Sequence, residues 1–372
     1  MEKTKVVIAS LLKPIDDTRM FEKFGLSLAE TSKYEINIIG FDSKNVQHAE
    51  NIITHSLGNF KRVSFARFIK SWKVFKLLLK VKPKLFIVNT HDLLIVTSIY
   101  KIIFGGVFIY DLRENYKKNI LHTHVFKTYF RPFLAVWVRT KEWLNKPFIN
   151  HFILAESVYQ KQLPFIGKSF TVLENKYMPL PGHRMAYRNP DANLINLVFT
   201  GTIAESNGVF NAIEITKTLH ALDKRVRLRI VGYCALKTDL IKLQEIIKDL
   251  DFIDLNGGDH LVPHLEIIEA IEKADFGFVL KKPNNGVNDE KMLTRLFEYT
   301  ANKLPIIALD NPTWVEFCSQ FNAAIHLSIS DYDPGNLLDQ MTTNEFYTKG
   351  DVSSSLWKTE STKLKSLVDS LI

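Results

Sequence analysis

The sequence alternates short apolar, β-branched runs with stretches of helical spacing, and this alternation stops once near the middle and then begins again. In the first half we predict helices at 18–31 and 65–80, and strands at 5–11, 34–41, 84–90, 107–111, 151–155 and 170–173. Strands separated by helices of about 10–15 residues are typical of parallel βαβ units. The pattern therefore indicates an α/β fold with a parallel sheet.

A stretch bearing proline and glycine at 178–182 interrupts the alternation and is typical of a linker. After it, the pattern predicts helices at 208–222, 237–249, 263–273, 294–302 and 354–371, and strands at 195–201, 226–232, 252–255, 276–280 and 305–309. The 372 residues are about right for two α/β domains and too many for one ordinary core. We predict one domain over 1–178, a second over 179–353, and a final amphipathic helix over 354–372.

Cysteine usage and hydropathy bear on the compartment. The two cysteines, Cys234 and Cys318, lie far apart without metal-ligand spacing, which suits a reducing environment. The longest apolar stretch, 93–110, is broken by a lysine and a Gly-Gly pair, so it fits a helix, a turn and a strand better than a membrane span. The run at 6–12 precedes two aspartates and no small-residue cleavage site, so we interpret it as a buried strand. Cytoplasmic residence is the expected default.

Basic charge is concentrated in one part of the chain. The whole chain has a net charge of +8, but residues 61–150 alone hold eighteen Lys or Arg against four acids. Such a basic half favours an anionic partner: anionic lipid, a phosphorylated lipid carrier or nucleic acid. The sequence shows no recognised nucleic-acid motif, so nucleic acid is the least favoured of the three and we expect none to bind.

The predicted helix at 65–80 has the pattern of an interfacial helix on anionic lipid. Bases recur at 67, 70, 73, 76 and 80, while the other face carries Phe65, Phe68, Ile69, Trp72, Phe75 and Leu79. The stretch 124–148 adds seven aromatic residues among further bases. We predict peripheral docking on the inner face of the plasma membrane. The alternative is an ordinary helix that packs its apolar face on the sheet and keeps its lysines in solvent.

Short motifs in both halves carry a family resemblance. In the second half they are Phe-Thr-Gly-Thr-Ile at 199–203, Asn-Gly-Val at 207–209, Leu-Arg-Ile-Val-Gly at 228–232, Ala-Asp-Phe-Gly at 274–277, Thr-Arg-Leu-Phe-Glu-Tyr at 294–299 and Leu-Pro-Ile-Ile at 304–307. Glu290 and Glu298 have E-x7-E spacing, and Trp357 and Glu360 stand in the last helix. In the first half, 89–92 and 110–115 match more loosely. Together these motifs resemble group 1 (family 4) glycosyltransferases.

The resemblance implies the GT-B fold: two Rossmann-like domains facing across a cleft, with a C-terminal helix crossing back to the N-terminal domain. It implies an acceptor-binding domain over 1–178 and a nucleotide-sugar donor domain over 179–353. The implied reaction moves a hexose-type sugar from a UDP- or GDP-linked donor to a glycan or lipid-linked acceptor, usually with retention and without a metal ion or other cofactor. Bacterial-type surface polysaccharide or glycolipid synthesis is the implied setting.

The donor needs a carboxylate for its ribose hydroxyls and positive charge or backbone N–H groups for its diphosphate. By resemblance Glu298 serves the ribose; a solvated helix carboxylate is the alternative. The family usually carries a base where this chain has Thr202 and Asn207, so Arg295 and Lys291 are expected to supply the charge. The full set of expected donor-binding residues is Gly201, Thr202, Asn207, Gly208, Gly232, Lys291, Arg295, Leu296 and Glu298.

Other candidates stand at predicted strand ends, where open parallel sheets bind ligands. His91, Asp92 and Glu290 are the expected catalytic residues; an imidazole can transfer a proton, whereas Asp92 could instead cap a helix. Candidates for acceptor or phosphate contacts are Arg19, Asp111, Arg113 and Glu114. For Arg19 the alternative is a surface salt bridge with Asp16 or Asp17. His122 and His124 are spaced like metal ligands but lack accompanying carboxylates, so we interpret them as a loop pair.

Two rival functions share this fold. A sugar-nucleotide 2-epimerase would need acids, bases and no acceptor site, which the basic aromatic half disfavours. A non-catalytic GT-B partner subunit is favoured by the loss of a base at Thr202 and Asn207. Assays of donor hydrolysis and sugar transfer separate these alternatives.

Overall fold

Two separate parallel sheets, of seven and six strands, form the framework of the chain in a computed structural model. The structure describes residues 3–43, 48–60, 64–122, 126–179, 193–281 and 291–372. The chain divides into one unit of Met1–Met178 with Trp357–Ile372 and a second of Pro179–Leu356. The α/β class expected from the alternating pattern is confirmed.

The first sheet has the order β3-β2-β1-β4-β5-β6-β7, and every neighbouring pair is parallel. Its strands are β1 (Thr4–Pro14), β2 (Tyr34–Phe41), β3 (Ile52–Ser56), β4 (Leu85–Val88), β5 (Val107–Leu112), β6 (His151–Leu154) and β7 (Phe170–Val172). The order reverses between β1 and β4, so the loops that follow these two strands diverge at a switch point where such sheets bind ligands.

Seven α-helices belong to the described part of the first unit, and a π-helical segment, Thr18–Gly25, precedes the first of them. They are α1 (Leu26–Ala29), α2 (Ala66–Val81), α3 (Leu94–Phe104), α4 (Tyr116–His122), α5 (Arg131–Asn145), α6 (Tyr159–Gln162) and, from the C-terminus, α13 (Trp357–Leu371). The helix predicted at 18–31 is thus π-helical in its first part. Asp17 caps it by accepting hydrogen bonds from the Arg19 and Met20 N–H groups, both at 3.1 Å.

Both faces of the first sheet are covered, which explains the continuous apolar runs of its central strands. Along β1, Val7 and Ala9 pack with α2 and α3, whereas Val6 and Ile8 pack with the π-helical segment and α13. The expected return of the C-terminal helix to the N-terminal domain is therefore confirmed. Trp357 anchors it, since its Nε1 donates to Ser27 Oγ at 2.9 Å.

The second sheet repeats the design with the order β10-β9-β8-β11-β12-β13. Its strands are β8 (Ile195–Thr202), β9 (Val226–Tyr233), β10 (Ile253–Gly258), β11 (Phe276–Val279), β12 (Ile306–Leu309) and β13 (Ala324–Leu327). Its helices are α7 (Val209–Leu222), α8 (Lys237–Ile247), α9 (His264–Lys273), α10 (Thr294–Ala301), α11 (Pro312–Ser319) and α12 (Pro334–Thr343). The switch point lies between β8 and β11.

Candidate functional site

A glycine-lined turn follows β8 at the switch point of the second sheet. A Cβ on Gly232 of β9 would lie 1.7 Å from the Gly201 carbonyl oxygen, so β9 could not lie this close to β8 with a side chain at position 232. Gly208 has φ +84°, and a Cβ on it would lie 2.1 Å from the Leu280 carbonyl oxygen. Helix α7 begins directly after Gly208. These glycines therefore place the helix N-terminus, with its free N–H groups, beside the end of β11.

Arg295 of α10 brings positive charge to this turn. Its Nη2 lies 3.5 Å from the position that a Cβ on Gly201 would occupy, and its Cζ lies 4.6 Å from the centroid of the Phe199 ring. Burial lowers the pKa of the guanidinium, although Tyr299 and Glu298 act in the opposite direction. Within the described residues no carboxylate forms a salt bridge with Arg295. A half-buried cation with no carboxylate salt bridge in the described ranges is suited to receive an anionic ligand.

Glu298 lies one helical turn after Arg295. Its side chain is only 14% exposed, and Oε1 lies 3.4 Å from Nε2 of His264, the first residue of α9. The alternative of a solvated helix carboxylate is therefore wrong. The pairing with His264 had no signal in the sequence, since a histidine at a helix start has no characteristic spacing to a carboxylate thirty-four positions later.

Other expected donor residues make hydrogen bonds within the chain. Asn207 donates from Nδ2 to the Thr202 carbonyl oxygen at 2.9 Å, so it closes the turn rather than replacing a base. Leu296 is fully buried and its N–H donates to the Leu293 carbonyl, so its role in donor binding stays a prediction. The Lys291 carbonyl accepts from Trp314 Nε1 at 2.9 Å. Glu290 lies outside the described residues.

Arg19, which follows β1, and Asp111 of β5 pair with each other. Arg19 Nη2 lies 2.8 Å from Asp111 Oδ1, and both side chains are buried. The Arg19 guanidinium also donates to the Leu173 carbonyl and to Asn175 Oδ1, at 2.9 and 2.8 Å. The surface salt bridge considered for Arg19 is therefore wrong, because its carboxylate partner is the interior one from β5. A direct phosphate contact by Arg19 stays a prediction.

Arg113 also has an internal partner. Its Nη1 lies 2.7 Å from Oδ1 of Asp17, the residue that caps the π-helical segment. Burial is the largest single effect and raises the Asp17 pKa, but the charge and hydrogen bond of Arg113, the Lys13 charge and the Met20 N–H together outweigh it, so the pKa lies below its usual 3.8. The anion that Arg113 contacts here is this carboxylate. Glu114 is exposed and accepts from Asn119 Nδ2 at 2.7 Å.

The loop after β4 places His91 and Asp92 in a polar cluster at the switch point of the first sheet. We call Arg67, His91, Asp92, Tyr116 and Lys141 the His91 cluster. Asp92 accepts a hydrogen bond from Arg67 of α2, and Lys141 of α5 lies 2.9 Å from His91 Nδ1. Helix α3 begins without a side-chain cap, so the helix-capping alternative for Asp92 is wrong. Nothing in the sequence spacing identified Arg67 or Lys141.

The electrostatics of the cluster set the protonation state of His91. Burial lowers its pKa to about 4, helped by Lys141 and opposed by Asp92. The ring is therefore neutral near pH 7. Lys141 Nζ faces Nδ1 of this neutral ring, which can both donate and accept a hydrogen bond. Proton transfer by His91 stays a prediction.

Among the described residues, no group of three or more His, Cys, Asp or Glu side chains could hold a metal ion. His124, one of the spaced histidine pair, lies outside the described residues, and His122 ends α4. In the part of the chain that the structure describes, none of the helices combines the length and hydropathy needed to cross a bilayer.

Exposed apolar side chains are concentrated on α2, α3 and α5 of the first unit, and α3 packs against both other helices. We call them the aromatic surface, whose members are Phe65, Phe68, Ile69, Trp72, Ile102, Ile103, Phe104, Phe133, Val136, Trp137, Trp143 and Leu144. Helix α2 packs inward through Val74 and Leu78, while Phe68 and Ile69 are more than half exposed. Phe75 and Leu79 pack against the core and most of the α2 lysines lie in solvent, as in an ordinary sheet-packed helix, so membrane docking stays a prediction.

Two Rossmann-like domains, with a last helix that returns to the first of them, define the GT-B fold, and the expected fold is confirmed. No protein-family model matches the sequence, and no curated protein matches it at a significant level.

Solved structures with similar folds cover nearly the whole chain. A sucrose-phosphate synthase from Thermosynechococcus elongatus is 12% identical with a TM-score of 0.68, covering 99% of each chain. Anabaena HepE in complex with UDP-glucose is 14% identical with a TM-score of 0.67, covering 99% of this chain and 100% of that one. WaaG, a glycosyltransferase involved in lipopolysaccharide biosynthesis, is 11% identical with a TM-score of 0.64, covering 98% and 95%.

Proposed function

We propose that the protein is a glycosyltransferase that takes its sugar from a nucleotide-sugar donor bound in the second domain. The proposal rests on the position of Arg295, whose half-buried guanidinium lies beside Gly201 at the end of β8 and forms no carboxylate salt bridge in the described part of the chain. The adjacent start of α7 adds free N–H groups. A diphosphate matches both features in charge and in hydrogen-bond acceptors.

Glu298 completes the donor contacts in this proposal. Its carboxylate follows Arg295 by one helical turn and is mostly withdrawn from solvent, as a group that binds ribose hydroxyls must be. Arg295 supplies the charge that Thr202 and Asn207 lack, which weakens the case for a non-catalytic partner subunit. In the first domain, the neutral His91 ring is proposed to hydrogen-bond a sugar hydroxyl.

Donor binding is tested by thermal shift with UDP-, GDP-, ADP- and TDP-linked hexoses. Stabilisation follows the ratio of ligand concentration to Kd, so the true donor raises the melting temperature above the others. Glu298→Gln is expected to reduce that shift, whereas Glu316→Gln, an exposed glutamate on α11, should leave it unchanged. If no nucleotide sugar stabilises the protein, the proposal is wrong.

The finer features of the reaction remain part of the proposal. HepE was solved in complex with UDP-glucose, and this supports a UDP-linked hexose as the first donor to test. Retention, metal independence and hexosyl transfer follow from the resemblance of residues 274–307. The anomeric proton of the product, followed by NMR in the presence of EDTA, tests all three. Accumulation of an epimerised nucleotide sugar without acceptor would instead favour the 2-epimerase.

We also propose that the aromatic surface docks on an anionic membrane and brings the enzyme to a lipid-linked or membrane-proximal glycan acceptor. The support is the exposure of Phe68 and Trp72 on a helix whose Lys73 and Lys76 are exposed as well. Apolar side chains enter the headgroup boundary while lysines contact anionic lipid. This placement fits a cytoplasmic enzyme of surface polysaccharide or glycolipid synthesis.

Sedimentation with vesicles tests the docking. Wild-type protein is expected to bind anionic vesicles more strongly than neutral ones, and Phe68→Ser/Trp72→Ser should reduce the bound fraction. Leu261→Ser removes an apolar side chain of the second domain that is 78% exposed, and is expected to bind like the wild type. Equal, negligible sedimentation with both lipids would end the docking proposal without affecting the donor site.

A further inference from the structure

His91 is held on two sides by groups that fix the orientation of its ring. Lys141 Nζ lies 2.9 Å from Nδ1, and the Tyr116 ring meets the imidazole edge to face, with centroids 4.9 Å apart. Tyr116 is itself fixed, because its hydroxyl donates to the Asn89 carbonyl at 2.6 Å. The ring plane and the identity of the group facing Nδ1 are therefore both determined by the fold.

Two neighbours compete for Nδ1, and their distances decide between them. Asp92 Oδ1 is the acceptor that would draw a proton onto Nδ1, but it lies 3.5 Å away, beyond a good hydrogen bond. Lys141 is at 2.9 Å, and an ammonium can only donate. Asp92 is also engaged by Arg67 and lies 3.8 Å from Lys141. The shorter contact favours an unprotonated Nδ1 and a proton on Nε2.

We propose that Lys141 is a positioning residue that fixes His91 as the Nε2–H tautomer, so that the ring presents a hydrogen-bond donor to a hydroxyl oxygen of a bound sugar. The part of this inference that involves sugar rests on the proposed function, whereas the tautomer does not. Arg67 supports the arrangement by holding Asp92 away from Nδ1.

The groups that act on the ring are distributed over three elements. Arg67 on α2 and Lys141 on α5 disfavour a second proton on His91, while Asp92 in the same loop favours it. Removal of the Lys141 charge therefore raises the His91 pKa and frees Nδ1 to take the proton toward Asp92. Both effects can be measured without substrate.

The direct test is ¹⁵N NMR of the histidine rings in the full chain without ligand. The chain has eleven histidines, so the His91 signals are assigned by their disappearance in His91→Gln. Near pH 7 the wild type is expected to show a protonated Nε2 and an unprotonated Nδ1. A protonated Nδ1 or an imidazolium in the wild type would overturn the inference.

Two Lys141 variants and one control variant test whether the lysine sets the tautomer. Lys141→Met is expected to shift the ring toward the Nδ1–H form and raise its pKa, while Lys141→Arg keeps the wild-type tautomer because it still donates. Lys217→Met, which removes a lysine paired with Glu214 on α7, leaves the His91 spectrum unchanged. A wild-type tautomer in Lys141→Met would show that the lysine does not set it.

Sugar transfer gives the second readout. Lys141→Met is expected to lower kcat by about 10- to 100-fold with little change in the donor KM, since a misoriented group costs this much. Lys141→Arg should recover most of the loss. If no nucleotide sugar is turned over by the wild type, the proposed function fails while the NMR result still decides the tautomer. An unchanged kcat in Lys141→Met together with a changed tautomer would refute the role in positioning.

Discussion

Replacement of Arg295 by methionine is expected to have opposite effects on the free and the liganded protein. In the free protein the guanidinium is partly desolvated over Phe199 and forms no carboxylate salt bridge within the described residues. Methionine keeps the apolar contact and removes the cost of desolvating a charge. We expect a gain of about 1 kcal/mol, or a melting temperature about 2–4 °C higher, for a domain of this size.

Donor binding should fall in the same variant. A hydrogen bond to a charged group is worth about 1.5–3 kcal/mol, which corresponds to a Kd raised about 10- to 150-fold. At a ligand concentration of about 100 times the wild-type Kd, the wild type gains about 2.7 kcal/mol from ligand. Under the same conditions the variant gains only about 0.3–1.3 kcal/mol. The variant is therefore more stable alone and less stabilised by donor.

Thermal unfolding with and without the best nucleotide sugar measures both effects, and calorimetry provides the Kd. Arg225→Met is the matched control, because this arginine is exposed and pairs with Asp223 in the same turn. It should change neither the melting temperature nor the ligand shift. If Arg295→Met keeps the wild-type ligand shift, the guanidinium does not contact the donor. The inference from its lack of a carboxylate salt bridge among the described residues is then refuted.

Three further substitutions test the framework of the two sites. Asp111→Asn leaves the buried Arg19 charge without its ion-pair partner and should cost about 3–5 kcal/mol in denaturant unfolding; a cost below about 1 kcal/mol would contradict the pairing. Gly232→Ala places a Cβ 1.7 Å from a backbone oxygen and should cost about 3 kcal/mol or more, with loss of soluble protein as the first sign. The lowered pKa of Asp17 stabilises the fold above about pH 3.8, and this contribution is lost as pH falls. Arg113→Met removes a positive charge that lowers this pKa, so acid unfolding should begin at a higher pH. An unchanged acid transition would speak against this pair.

The sequence predicted the central strands of both sheets because their apolar runs are buried on two faces. It did not predict β3 or β13, which are edge strands of only five and four residues. Edge position alone does not explain these two misses, since the edge strands β7 and β10 were predicted. In β3 no residue is buried, and β13 buries only alternate residues, so neither has a continuous apolar run. The glycines near the end of β8 were identified by their motifs, and at Gly208 and Gly232 the backbone leaves no room for a Cβ.

Charge partners were the part that the sequence could not assign. Arg19 had nearby carboxylates at Asp16 and Asp17, yet it pairs with Asp111, ninety-two positions away. Lys141 reaches His91 across fifty positions. A basic side chain can pair with any carboxylate or imidazole within reach, so the sequence does not identify its partner. The partner depends on which loops the order of strands brings together.

The sequence by itself determined the alternation of strands and helices, the break into two domains and the positions where only glycine fits, because periodicity and backbone sterics act over a few neighbouring residues. The tertiary structure alone decided that Arg295 approaches Gly201 and that Lys141 faces Nδ1 of His91. These contacts depend on sheet order and on side-chain burial, and burial determines both the charge state of a group and its partner.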